Sequence, residues 1–302
     1  MDVRSLTVPF DGKTGRVVIP LLDLHNTIKL TPIGDLHLGN AGCDEAALNK
    51  WVDTVAADPN HYTVYMGDMA DCILPGDKRF DPGEVAEWLW SPDNRGRIAD
   101  AQYERVYELL KPIPKERVLG IIEGNHERTI RDRHNRDLTR DLARTLDIPY
   151  LGQEAFLYVT IPYASKAKNG GKQRKLAESK GGISSGRGGG ILKIFITHGS
   201  GGGRKVGAKA NKITDLTSWV NADIILCGHH HDKFATRTVQ LDLDRAGHLV
   251  ARERLHVLTG SFLKTYKEGT RGYGARELYP PTAIGPVTIT IHPRTLELGT
   301  II

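Results

Sequence analysis

The stretch VLGIIEGNHE, residues 118–127, joins a short apolar run to a group of polar side chains. Val118 to Ile122 has the apolar, β-branched character of a buried strand, and Gly124 ends the run just before Asn125. The same pattern occurs at four other places in the chain. These are Thr27 to Ile33 before Asp35, Tyr62 to Met66 before Asp68, Ile191 to Thr197 before His198, and Ile224 to Cys227 before His229.

Helix-like stretches separate the early runs. Asp44 to Ala57 begins with a good N-cap at Asp44 and has apolar residues at helical spacing. Arg97 to Leu110 and Asp137 to Leu146 show the same periodicity. Alternating strands and helices predict an α/β architecture, in which sites gather at the carboxyl ends of the strands. We therefore expect the polar residues after the five runs to meet at one edge.

The pattern changes after His231. Thr236 to Leu243, Leu249 to Thr259 and Val287 to His292 have the character of strands joined by turns, with no long helix between them. This favours a second, antiparallel sheet that completes a sandwich. We predict a single domain over residues 1–302.

Composition restricts the class of protein. Apolar residues make up 39% of the 302 residues and charged residues 25%, an ordinary globular balance. No stretch approaches the roughly 20 apolar residues that span a bilayer, so we expect no membrane segment. Three cysteines and the lack of an apolar leader in residues 1–15 favour a reducing, cytoplasmic setting.

The net charge of +5 is concentrated in one segment, residues 164–190. Seven basic residues against one acid give this glycine-rich segment +6, which leaves −1 for the rest of the chain. We interpret it as a flexible basic insertion within the domain. It could neutralise a nucleic-acid backbone, or it could serve only for solubility.

The polar residues after the strand-like runs have the chemistry of metal ligands. A pair of divalent cations needs oxygen and imidazole ligands, with one carboxylate able to bridge them. His126 stands beside these residues and remains available to handle a proton. The candidate ligands are Asp35, His37, Asp68, Asn125, His198, His229 and His231.

In this order, D-x-H, G-D-x-x-D, G-N-H-E, H-G and G-H-x-H resemble the motifs of the calcineurin-like metallophosphoesterase superfamily. The resemblance implies an α/β sandwich of two packed mixed sheets flanked by helices, with two metals at one end. It implies one metal on Asp35, His37 and His231. It implies a second on Asn125, His198 and His229, with Asp68 as the bridge.

The resemblance also implies metal-assisted hydrolysis of a phosphate ester. A hydroxide held between the cations would attack phosphorus, and His126 would donate a proton to the leaving oxygen. Asp71, the last residue of G-D-x-x-D, would orient His126; alternatively it caps the turn after the strand. Manganese is the expected metal, with iron, zinc, nickel or magnesium as alternatives.

Two departures from phosphoprotein phosphatases concern arginine. Where those enzymes have Arg-Gly, this chain has Cys72-Ile73 and Glu123-Gly124, so the two arginines that grip a phosphomonoester are missing. Candidate substitutes are Arg128 and Arg204. The glycine-rich segment after His198 adds Lys205 and Lys209, which would hold flanking phosphates unless the segment is a mobile surface loop.

These observations favour a phosphodiesterase, with DNA or RNA as the expected substrate. The alternative is a phosphomonoesterase or a diesterase of small molecules such as nucleotides. A third hypothesis, a protein-binding scaffold without catalysis, is disfavoured because every expected ligand and His126 are present.

Overall fold

The computed structural model describes residues 4–6, 13–19, 26–161, 190–244, 246–266, 273–276 and 278–302. The predicted basic insertion, residues 164–190, lies outside the described residues except for Gly190. The prediction of a single domain over the whole chain stays a prediction.

Three adjacent strands of the first sheet run parallel to one another. They are β3 (Ile28–Ile33), β4 (His61–Tyr65) and β5 (Val118–Ile121), in that order. β12 (Thr288–Ile291) pairs antiparallel with β3, and β13 (Leu298–Ile301) forms the edge. The strand expected within residues 287–292 therefore exists, but it belongs to the first sheet and not to the second.

The second sheet has eight strands among the described residues. In spatial order they are β1 (Arg4–Leu6), β2 (Lys13–Val18), β6 (Glu154–Ile161), β7 (Gly190–Thr197), β8 (Ile224–Cys227), β10 (Leu249–Ser261) and β11 (Gly285–Pro286), and β9 (Lys233–Leu243) pairs with β10.

The expectation of an antiparallel second sheet was wrong, because this sheet is mixed. β7 and β10 both run parallel to β8, whereas β6 and β9 run antiparallel to their neighbours β7 and β10. The hairpin from β9 to β10 returns the chain to β8 in the parallel sense. Two mixed sheets with helices confirm the predicted fold class.

Helices cover the sheets. The predicted helices are confirmed as α1 (Glu45–Ala57), α2 (Ile98–Leu110) and α4 (Leu138–Thr145). The Asp44 carboxylate accepts a hydrogen bond from the Ala47 N–H, as an N-cap does. Three helices were not predicted: α3 (Asn125–His134), α5 (Val206–Asp215) and the short α6 (Tyr273–Arg276).

The largest core cluster lies between the two sheets, where Val64 of β4 and Ile194 of β7 belong to the same buried group. The neighbouring Tyr65 points to the other face of the first sheet and joins a second cluster with Val52 of α1 and Val106 of α2. Both faces of β4 are therefore buried, and with them all five of its residues, including the polar His61 and Thr63. In the part of the chain that the structure describes, no helix is long and apolar enough to cross a membrane.

Candidate metal centre

Two groups of buried and half-buried candidate ligands meet where β3, β4, β7 and β8 end. Ligand atoms of Asp35, His37 and His231 all lie within 4.8 Å of one another, as do those of Asp68, His198 and His229. In the first group, His231 Nε2 is 3.1 Å from His37 Nε2 and 3.4 Å from Asp35 Oδ1. The structure thus brings these six sequence-predicted residues together in two sets.

Asp68 lies between the two groups. Its Oδ2 atom is 3.2 Å from His198 Nε2 and 3.9 Å from His37 Nε2, one residue from each group. The seventh predicted residue, Asn125, places Oδ1 3.0 Å from His198 Nε2. Asp68 is therefore in the position expected of a bridging carboxylate.

The donor groups fit a pair of divalent cations. Asp35 Oδ1 is buried and accepts no hydrogen bond from any described residue, although leaving such an oxygen unpaired costs roughly 1–3 kcal/mol or more. Imidazole nitrogens and carboxylate oxygens that follow several different strands converge on the same space. Mixed nitrogen and oxygen donors of this kind suit Mn, Fe, Zn or Ni.

Hydrogen bonds behind the ligands fix their orientation. His198 Nδ1 is 2.8 Å from the Met66 carbonyl oxygen, which leaves Nε2 facing the centre. The second oxygen of Asp35, Oδ2, accepts a hydrogen bond from the His229 N–H at 2.8 Å. Burial and nearby His198 lower the pKa of His229 to about 4, so this imidazole is neutral, the form that binds metals.

Five of the seven candidate ligands have left-handed backbone conformations. The φ angles are 49° at Asp35, 47° at His37, 50° at Asp68, 66° at His229 and 57° at His231. A non-glycine residue in this region costs on the order of 1–3 kcal/mol and persists only where its surroundings hold it. Such residues cluster at functional sites, and here they cluster on the candidate ligands.

Two glycines allow the loops after β4 and β5 to touch. A Cβ atom on Gly67, whose φ is +86°, would lie 2.4 Å from the Gly124 nitrogen. A Cβ atom on Gly124 would lie 2.1 Å from Asp68 Oδ1. Both distances are shorter than any real contact, so glycine at these positions lets Asp68 and Asn125 approach each other.

Glu127 joins the same two loops, a role that the sequence analysis missed. Its buried carboxylate accepts hydrogen bonds from the N–H groups of Asp68 at 3.0 Å, Met69 at 2.7 Å and Gly124 at 3.1 Å. Burial and the charge of Asp68 raise the pKa of Glu127 to about 7. The sequence signal was a glutamate three residues after a helix N-cap, which was not used because α3 was not predicted.

His126 lies at the start of α3 beside Asp68. Its N–H donates to Asp68 Oδ1 at 2.9 Å, and its ring Nδ1 contacts the main-chain carbonyl oxygen of Asp71. Nε2 is 4.0 Å from Asp68 Oδ2. Burial lowers the pKa of His126, but the charges of Asp68 and Asp71 outweigh burial and raise it above the ordinary value.

The position of Asp71 differs from the one expected. Its carboxylate lies 3.3 Å from His37 Nδ1 and accepts a hydrogen bond from Asn40 Nδ2 at 3.4 Å. Only the main-chain carbonyl of Asp71 contacts His126. The carboxylate is therefore placed to orient the candidate ligand His37, and the main-chain carbonyl holds His126. The expectation that Asp71 orients His126 stays a prediction.

Arg79 is a second residue that the sequence analysis missed. Its Nη1 atom is 3.3 Å from His126 Nε2, and Asp77 holds the guanidinium by hydrogen bonds to Nε at 3.1 Å and to Nη2 at 3.0 Å. This places a cation directly beside His126, although the sequence analysis offered only Arg128 and Arg204 as candidate arginines. Arg79 belongs to an irregular loop outside every recognised motif, so no sequence signal marked it.

The four suggested substrate contacts have different environments. Arg128 is exposed and lines a groove beside Asn125 and His198. Arg204 and Lys205 are exposed at the start of α5 and are not among the described residues that line this groove.

Lys209 is buried in α5. Its ammonium donates to the His230 carbonyl oxygen at 2.9 Å and pairs with Asp232. The prediction that Lys209 contacts phosphate was therefore wrong. Residues 206–212 of the glycine-rich segment belong to α5, whereas residues 199–205 form a loop.

The groove, here called the His198 groove, has a volume of ≈ 590 Å³ and opens beside the candidate centre. It runs past α3 on one side and past α5 and the turn after it on the other. Its lining includes Asn125, Arg128, Glu154, Phe195, His198, Lys212, Asp215 and Trp219.

Residues 28–233 match the model of the calcineurin-like phosphoesterase family. The match covers more than half of the chain and includes every candidate ligand. The chain therefore belongs to this family, which confirms the resemblance inferred from the motifs. It is a hydrolase of phosphate esters, from a family that uses divalent metals.

Three solved structures resemble the chain at low similarity. They are a predicted phosphoesterase from Streptococcus pneumoniae (11% identity, TM-score 0.33, covering 91% of this chain and 98% of that chain), the nuclease MPE of Pseudomonas putida (13%, 0.31, 90% and 87%) and Vps29 of Chaetomium thermophilum (9%, 0.33, 91% and 94%). No curated protein sequence matches the chain significantly. The family assignment rests on the family model.

Proposed function

We propose that this chain hydrolyses phosphodiesters and that its substrate is nucleic acid. The observation that carries the proposal is the His198 groove, which continues outward from Asn125 and His198. A phosphodiester has a substituent on each side of the phosphorus, so it needs space beyond the metal centre. A phosphomonoester needs no such space on its second side.

The candidate ligands divide the work of holding two cations. Asp35, His37 and His231 would hold one, Asn125, His198 and His229 the other, and Asp68 both. When bound, such cations polarise the phosphoryl oxygens and lower the pKa of water towards neutrality. Manganese is our proposed metal, with iron, zinc, nickel or magnesium as alternatives.

His126 is the proposed proton donor. The contact between Nδ1 and the Asp71 carbonyl requires the proton on Nδ1, so Nε2 is the atom that faces the substrate. The charges of Asp68 and Asp71 outweigh burial and the opposing charge of Arg79, so the pKa of His126 is raised and an imidazolium is favoured. Its Nε2–H would protonate the leaving oxygen, a contribution of about 10²–10⁴-fold.

Arg79 would bind a non-bridging phosphate oxygen. Its guanidinium is always charged and is oriented by Asp77, so a phosphate placed between Arg79 and Nε2 of His126 would accept hydrogen bonds from both. Acid catalysis and charge neutralisation would then act on the same phosphate group.

Cleavage of end-labelled single- and double-stranded DNA and RNA by the manganese-loaded protein tests this proposal, with His126→Ala as control. We expect cleavage that the substitution abolishes. Hydrolysis of bis(4-nitrophenyl) phosphate without cleavage of any nucleic acid would restrict the function to small diesters.

Arg79 also supports a second candidate function, a phosphomonoesterase. A terminal phosphate carries more negative charge than a diester, and a guanidinium beside the proton donor would stabilise that extra charge. Comparing kcat/KM for 4-nitrophenyl phosphate and bis(4-nitrophenyl) phosphate separates the two functions, and a strong preference for the monoester would favour the second.

A further inference from the structure

Trp219 presents an indole to the solvent inside the His198 groove. Its residue is 65% exposed, and its ring lies 6.0 Å from the ring of Phe195 at 76°. Trp219 directly follows the short helical turn Leu216–Ser218 after α5. Leaving a large aromatic surface in water sacrifices the stabilisation that its burial would provide. The exposed surface is therefore available to a ligand in the groove.

The indole lines the same groove as the candidate ligands Asn125 and His198. Phe195 precedes His198 by three residues and belongs to β7, which ends at Thr197. At about 3.3 Å per residue, the strand separates these two positions by roughly 10 Å, and the indole lies a further 6.0 Å from the Phe195 ring. A group bound against Trp219 can therefore belong to the same substrate whose phosphate lies at the metal ligands.

The charges in the groove favour a neutral group at this place. Arg128 lines the groove and can neutralise a phosphate beside Asn125. The lining also includes Lys212, whose ammonium donates to the Gly202 carbonyl oxygen at 2.7 Å. Glu154 and Asp215 line the groove as well, and their carboxylates repel a further phosphate but can accept hydrogen bonds from amino groups. A flat, uncharged ring with polar edges fits this combination better than a second phosphate does.

We infer that the His198 groove holds a nucleobase adjacent to the scissile phosphate, stacked on the indole of Trp219. This inference rests on the proposed nuclease function. Stacking needs a base whose face is free, so the groove selects single strands, frayed ends or flipped nucleotides over an intact duplex. Every base has such a face, so the groove discriminates unpaired from paired nucleotides and not one base sequence from another.

The first test measures kinetics on two oligonucleotides of equal length, oligothymidylate and an oligomer with an abasic residue beside the cleaved phosphate. For Trp219→Ala we expect KM for oligothymidylate to rise about 5- to 150-fold with kcat nearly unchanged, as base–aromatic stacking predicts. KM for the abasic oligomer should stay near the wild-type value. Trp219→Phe, which keeps an aromatic face, should restore most of the affinity.

Trp90→Ala is the matched control, because Trp90 is also exposed, at 53%, and does not line the groove. A second readout needs no turnover. Tryptophan fluorescence of the metal-free wild type should be quenched by oligothymidylate, and that quenching should disappear in Trp219→Phe.

An equal rise in KM for both oligomers would overturn the inference, since Trp219 would then only shape the groove. Unchanged kinetics for Trp219→Ala, with nucleic acid still cleaved, would overturn it while leaving the proposed function intact. If the wild type hydrolyses bis(4-nitrophenyl) phosphate and neither cleaves nor binds nucleic acid, both proposals fail together.

Discussion

Replacing His126 by alanine distinguishes two roles that the geometry of this residue allows. His126 lies with His37 and Asp71 in a third group of potential ligand atoms within 4.8 Å of one another, so it is a possible ligand. We propose instead that it donates a proton. A proton donor can be removed without loss of metal, whereas a ligand cannot.

Electrostatic repulsion between a bound metal and the guanidinium of Arg79 decides between the two roles. A metal bound to His126 Nε2 would lie about 2 Å from that atom. Because Arg79 Nη1 is 3.3 Å from Nε2, this metal would be at most about 5 Å from Nη1. Two unit charges about 5 Å apart repel by about 3 kcal/mol at an effective dielectric constant near 20, so a divalent ion meets at least about 6 kcal/mol of repulsion. This repulsion disfavours a metal at Nε2.

We therefore expect His126→Ala to keep two metals per chain while kcat falls about 10²–10⁴-fold. Elemental analysis of dialysed protein gives the metal content, and hydrolysis of bis(4-nitrophenyl) phosphate gives kcat. His134→Ala is the matched control, because His134 ends the same helix and is exposed. Loss of one metal together with activity would refute the reasoning and make His126 a ligand.

Three further substitutions test other parts of the structure. Glu127→Gln leaves one acceptor oxygen for N–H groups that now use both oxygens of the carboxylate. The free energy of unfolding, measured by urea titration after metal is removed with a chelator, should therefore fall by about 2–3 kcal/mol. No change would show that the three hydrogen bonds are dispensable. Arg79→Ala should lower kcat/KM about 10- to 150-fold, whereas Arg133→Ala, which also contacts Asp77 but is exposed, should not; equal effects would deny Arg79 a phosphate contact. Burial lowers the pKa of His61 to about 4 from 6.5, so the stability that depends on neutral His61 should be fully present above pH 6.5 and should fall by up to about 3 kcal/mol as pH falls towards 4. His61→Gln should show a weaker decline, and identical pH profiles of unfolding would contradict the assignment.

The sequence was sufficient to identify the candidate centre because each ligand is marked locally. Asp35 and Asp68 follow adjacent parallel strands of the first sheet, and His198 follows β7 of the second sheet. Each could be identified without knowledge of strand pairing, because each stands at the end of its own strand. The packing of the two sheets then brings His198 beside Asp68.

Features that depend on long-range pairing were not predictable in the same way. The strand β12 lies more than 250 residues after β3. Nothing in its own pattern of apolar and polar residues indicates which sheet it joins. The side chain of Lys209 resembles a solvated phosphate contact in the sequence, but α5 buries it against Asp232. Arg79 reaches His126 from a loop without periodicity. In each case the partner, and not the residue type, determines the role.

The strained ligands explain why the residues around them are so closely connected. Five left-handed residues cost on the order of 5–15 kcal/mol together, comparable to the whole stability of a typical domain. Glu127 holds the Asp68 loop, and the hydroxyl of Ser261 donates to the Asp35 carbonyl oxygen at 2.7 Å. These contacts offset part of that cost before any cation binds. The fold therefore keeps its ligands close to a binding geometry, so that little reorganisation opposes the binding of metal.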